Sequence, residues 1–70
     1  MSAWEILKGA VRVGEQVETT LLGPVPYQRN AEGRLEAVIT RGLKRSAEEN
    51  GFRVLGADFQ RNRYVLQRVS

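Results

Sequence analysis

Apolar positions follow two different periods along this chain. Between Ala31 and Asn50, the residues Leu35, Val38, Ile39, Gly42, Leu43 and Ser46-Ala47 recur every three or four positions. That spacing places them on one side of a helix. Asn30 is suited to cap its start, Glu32 sits where the helix dipole favours an acid, and Asn50-Gly51 is a strong stop. A helix over about 31–50 is therefore predicted. Gly42 falls inside the apolar stripe, which suggests that another backbone approaches there. After the stop, Phe52–Phe59 and Tyr64–Val69 flank Gln60-Arg61-Asn62-Arg63. This reads as a β-hairpin turning near Arg61-Asn62. A two-residue loop would set Phe59 opposite Tyr64 and Ala57 opposite Leu66, leaving Val54, Val65 and Val69 on the other face. One helix covers only one face. Either Gly56 marks a bulge that re-aims the strand, or the second face meets another element or another copy of the chain.

The first 28 residues carry two patterns. Val11-Arg12-Val13, Gly14-Glu15-Gln16 and Val17-Glu18-Thr19 read as a hairpin, with Val13 opposite Val17 and Arg12 opposite Glu18. The rival pattern is helical: Ser2-Ala3-Trp4-Glu5 matches a capping box, and Trp4, Leu7 and Val11 share a helical face. A second helix would then run from Glu15 to Leu22. The valines, the threonines and two glycines favour strands after Gly9. Gly23-Pro24-Val25-Pro26 is a firm break, so residues 23–30 are expected to form a loop.

These elements predict a single small α+β domain over residues 1–70. Its antiparallel sheet, made of an N-terminal hairpin and a C-terminal hairpin, packs on one central helix. The expected core is Val11, Val13, Val17, Leu21, Leu35, Val38, Ile39, Leu43, Phe52, Val54 and Leu66. If residues 1–22 are helical, the alternative is a winged helix with three helices and a C-terminal β-hairpin.

Composition narrows the chemistry. There is no Cys and no His among the 70 residues. Disulfides are excluded, a zinc site loses both favoured ligand types, and the common nucleophile–base designs have no base. No metal and no cofactor is expected. Ser2, Ser46 and Ser70 lie in no nucleophile-elbow pattern, and Glu48-Glu49 diverge by about 100° on a helix. The expectation is a binding protein and not an enzyme. A chain this short buries only about 60% of its unfolded surface, so a homodimer stays open as a source of stability. No apolar run approaches the roughly 20 residues of a membrane span. The first residues do not form a basic-then-apolar leader, and a cytoplasmic location is expected.

The net charge is +3 and unevenly spread. Residues 1–28 carry two basic and three acidic residues; residues 29–70 carry nine basic and five acidic. On a 31–50 helix, Arg34, Arg41 and Arg45 form one stripe about 16 Å long, with Lys44 beside it. Arg61 and Arg63 flank Asn62 at the hairpin tip. These six residues are the candidates for nucleic-acid phosphates; charged residues that solvate a helix face or protect a strand edge show the same pattern. Trp4, Tyr27 and Tyr64 are the candidates for a protein interface.

Taken with helical residues 1–22, the order of elements resembles winged-helix DNA-binding domains, with Ala31–Asn50 in the recognition position and Arg61–Arg63 at the wing tip. That resemblance implies groove and phosphate contacts by those two segments. The short Arg-rich chain is also similar in style to accessory proteins of phages that infect GC-rich bacteria. Two functions are carried forward: a phage-type or bacterial accessory or regulatory protein that contacts nucleic-acid phosphates, and a protein-interaction module that binds or inhibits a host protein through an apolar surface.

Overall fold

The computed structural model describes all of residues 1–70. It contains two helices and five strands: α1 (Ala3–Ala10), β1 (Gln16–Thr19), β2 (Tyr27–Arg29), β3 (Leu35–Ala37), α2 (Arg41–Glu49), β4 (Phe52–Asp58) and β5 (Arg63–Arg68). The class is α+β, with an antiparallel sheet packed against helix, as the periodicities predict. No helix is long and apolar enough to cross a membrane.

The N-terminus follows the helical pattern up to residue 10 and the strand pattern after it. Ser2 caps α1, its hydroxyl accepting from the Glu5 N–H at 3.2 Å. Trp4, Leu7 and Val11 then face inward, and Leu7 and Val11 are buried. The expected Val11–Thr19 hairpin does not form. Val13-Gly14 is a turn, and β1 pairs instead with β5, placing Val17 against Leu66 and Thr19 against Tyr64. Only a long-range partner, 49 residues away in sequence for Val17, lets Val17 reach the core.

The predicted helix over 31–50 is also divided. Residues 41–49 are helical; residues 27–37 form the two-stranded β2–β3 hairpin. Asn30 caps no helix. Its side-chain oxygen accepts from the Glu32 and Arg34 N–H groups at 2.9 and 3.0 Å, closing a turn in which Gly33 adopts φ +81°. This is the same chemistry an N-cap uses, so the residue type fits both structures. The β-branched Val38-Ile39-Thr40 run leaves the helix to begin at Thr40, whose hydroxyl accepts from the Leu43 N–H at 3.1 Å.

The C-terminal hairpin forms with a longer turn than expected. Asp58 pairs with Arg63, so four residues connect the strands, and Asp58 Oδ1 accepts from the N–H groups of Gln60 and Arg61. A bulge at Leu55 shifts the register before Gly56. The four-residue turn sets Ala57 opposite Tyr64, the bulge sets Val54 opposite Leu66, and all four share the core face. The bulge resolves the problem of two apolar faces: Val54 moves inward and Leu55 turns out.

The three-stranded sheet has the order β1-β5-β4. Its covered face carries Phe52, Tyr64 and Leu66, which meet Leu7, Val11, Val25 and Ala47. Trp4 lies on Phe52 with ring centroids 5.7 Å apart. Of the expected core, Val11, Phe52 and Leu66 are buried and Val17, Leu43 and Val54 pack against them. Val38 and Ile39 are half-buried. Val13, Leu21 and Leu35 are 62, 48 and 44% exposed, because their segments are a turn, a loop and an outlying hairpin.

Two glycines have opposite roles. Gly51 ends α2 at φ +81°, and a Cβ there would lie 2.9 Å from the Ser70 carbonyl oxygen. Gly42 faces open space, so no backbone approaches it, contrary to its place in the apolar stripe. Gly51→Ala is expected to cost about 1–3 kcal/mol, whereas Gly42→Ala is expected to raise stability by up to about 1 kcal/mol. Urea denaturation of the two variants beside the parent protein measures both; equal effects would contradict these roles.

Candidate binding surface

Helix α2 turns Leu43 and Ala47 inward and Arg41, Lys44, Arg45 and Glu48 outward. Arg41 and Arg45 lie one turn apart, about 6 Å along the axis. Neither they nor Lys44 forms an ion pair: the molecule's single ion pair is Arg63–Glu18, at 3.9 Å. The first turn of α2 holds no acid, and Glu48 and Glu49 sit in its last turn. Arg41 at the start and Glu48 and Glu49 at the end thus oppose the helix dipole, which favours acids at the start and bases at the end. The result is a concentration of positive potential at the N-terminal half of α2.

The expected arginine stripe is shorter than the sequence suggests. Arg34 leaves it, because residue 34 lies beside the β2–β3 turn and not on a helix. It lines a groove of about 600 Å³ with Leu35, Glu36, Ala37, Ala57, Phe59 and other residues of the hairpin tip. Arg61 is exposed at that tip, and Asn62 fixes the tip to the body by accepting from the Val25 N–H at 3.3 Å. Arg63 is half-buried and occupied by Glu18. The six candidates therefore divide into an α2 group (Arg41, Lys44 and Arg45) and a group near the tip (Arg34, Arg61 and Arg63).

Two other arginines serve the fold. Arg68 Nη1 donates to the Lys8 and Val11 carbonyls at 2.9 and 2.7 Å, satisfying the end of α1. Arg29 donates to the Gly33 carbonyl across the β2–β3 turn. Composition alone gives no sign of these roles, since both depend on carbonyls positioned by the fold.

Among the interface candidates, only Tyr27 is open to solvent, at 60% exposure, and it stacks on Phe59 with centroids 4.9 Å apart. Trp4 is half-buried on Phe52. Tyr64 is a core residue, 4% exposed, because it lies on the same face of β5 as Leu66 and that face is covered. It presents no surface to a partner.

No protein-family model matches this chain, and no curated protein and no solved structure matches it either.

Burial pushes the Tyr64 phenol above its ordinary value of 10.0. The unfolded chain releases this proton at lower pH than the folded one. The resulting stability is complete below pH 10 and is lost as pH rises toward the folded value. Urea midpoints at pH 8 and pH 11 are expected to fall more for the parent protein than for Tyr64→Phe, which lacks the phenol; equal falls would refute the effect.

Proposed function

We propose that this chain is a non-enzymatic binding protein that holds nucleic-acid phosphates on the exposed face of α2, in a phage-type or bacterial accessory or regulatory role. The observation that carries this reading is the arrangement of Arg41, Lys44 and Arg45: all exposed, free of ion pairs, and gathered in the first five residues of α2, with Arg41 at the positive end of the helix dipole. Such an arrangement costs folding stability and is offset when an anion is bound. Arg61, on the exposed hairpin tip, is a further cation for the same backbone. A non-catalytic role fits the lack of His and Cys and the use of the Ser2 and Thr40 hydroxyls as helix caps. A cytoplasmic location belongs to this reading.

A protein-interaction role is the second reading. The groove beside Tyr27 and Phe59 favours it, since it joins stacked aromatics to an exposed Leu35.

Fluorescence anisotropy with labelled duplex DNA and single-stranded RNA, from about 20 to 200 mM KCl, separates the two. About two to three phosphate contacts predict a log–log salt slope near −2 to −3. Arg41→Ala with Arg45→Ala is expected to flatten that slope by about one to two units. Absence of binding to either polymer at the lowest salt, or a slope indifferent to the double substitution, refutes the phosphate reading.

A further inference from the structure

Strand β3 leaves one edge unpaired, and its residues are self-complementary. The Val38 N–H donates to the Pro26 carbonyl and the Asn30 N–H to the Arg34 carbonyl, each at 2.8 Å. In an antiparallel pair, hydrogen-bonded positions alternate. Pairs 26/38, 28/36 and 30/34 are therefore the bonded ones. Leu35 and Ala37 turn their N–H and C=O groups away from β2. Arg34, Leu35, Glu36 and Ala37 form one wall of the groove of about 600 Å³, and Ala57–Gln60 form the other.

The side chains along this edge are Arg34, Leu35 and Glu36. Arg34 and Glu36 are exposed and in no ion pair. A two-fold axis through Leu35 would place Leu35 opposite Leu35 of the partner subunit, Arg34 opposite Glu36 of the partner subunit, and Glu36 opposite Arg34 of the partner subunit. The central pair exchanges two main-chain hydrogen bonds. The flanking pairs are opposite charges at cross-strand distance. Moving the axis to Glu36 would set two carboxylates face to face, which is unfavourable.

We infer that the occupant of this edge is a second copy of the chain, joined β3 to β3 in antiparallel register about Leu35 to give a four-stranded sheet β2-β3-β3-β2. The symmetric charge pattern is the argument for a copy over any other partner: each protomer supplies the acid and the base that the other lacks. Free strand edges are usually protected by charge. Here the two charges have opposite signs, so they repel a shifted neighbour and accept one in this register. The inference is independent of the reading of α2, which faces solvent through other residues.

The interface is a strand edge with a small apolar centre, which belongs to the class of weak association. Sedimentation velocity on nuclease-treated protein, from about 10 µM to 1 mM, is the test. A concentration-dependent shift to the mass of a dimer is expected. Arg34→Glu and Glu36→Arg are each expected to weaken it by about tenfold or more, since each puts two like-charge pairs into the interface. The double reversal R34E/E36R restores the alternation of signs and is expected to return the dimer to within about threefold of the parent. Both residues are exposed, and an unchanged circular dichroism spectrum checks that folding is retained. A monomer at 1 mM (about 8 mg/ml for a 7.9 kDa chain), a dimer indifferent to the single reversals, or a double reversal that stays monomeric overturns the inference. Loss of nucleic-acid binding by the α2 variants leaves it standing.

Discussion

Strand β5 is paired along both of its edges, and the side chain of Leu66 at its middle is fully enclosed. The rest of the molecule is arranged around that strand. Tyr64 and Leu66 carry the core face, and Phe52 reaches them from β4. Burying a side chain such as Phe52 or Leu66 is worth about 1.5–3 kcal/mol, and few other side chains in the chain are as completely enclosed. At the end of the strand, Arg68 joins three elements. Its backbone bonds to Gly14 and Glu15 ahead of β1, it pairs with Phe52 of β4, and its guanidinium closes the last turn of α1. Removing that guanidinium would leave carbonyls at the helix end without partners, and α1 contributes Leu7 and Val11 to the core.

The small core explains the shape. Seven apolar residues form the enclosed cluster, enough to hold α1, α2 and the three-stranded sheet together. Of β2 and β3 only Ala37 packs against it, and their other residues are exposed. The molecule is accordingly long, 39 × 19 × 18 Å. The β2–β3 hairpin meets the body mainly through the stack of Tyr27 on Phe59 and the turn residues of the neighbouring hairpin. A two-stranded hairpin is marginal alone, and this one leaves an edge unpaired and Arg34, Leu35 and Glu36 exposed. The basic face of α2 poses a separate question, because its charges cost stability where they stand.

Much of this architecture can be read from local chemistry. The Asn50-Gly51 stop, the C-terminal hairpin, a bulge near Gly56 and the Ser2 cap follow from residue types whose backbone preferences are strong. The absence of His and Cys limits the chemistry whatever the fold. Long-range choices are different in kind. Asn30-Ala31-Glu32-Gly33 satisfies a helix start and a hairpin turn equally well, and the period of Leu35, Val38 and Ile39 suits a helix only if residues 31–40 have a core to cover. They do not: Ala37, Val38 and Ile39 are only half-buried and the rest are exposed. The binding residues divide along the same line. Arg41, Lys44 and Arg45 stay together because they lie within a single helix whichever start is chosen. Arg34 depends on that start and moves to the groove. Tyr64 lies inward because it shares a face of β5 with Leu66, two residues on, and that face is the covered one.

What the sequence determined by itself was the vocabulary: a small α+β chain, its strongest stops and turns, and a basic second half without catalytic histidine or cysteine. Tertiary structure decided the pairings: β1 with β5, Arg68 with the end of α1, and Arg34 with a groove between two hairpins. The physical reason is that caps and turns are satisfied within a few residues, whereas burial and strand pairing join segments some fifty residues apart, whose energies no local pattern contains.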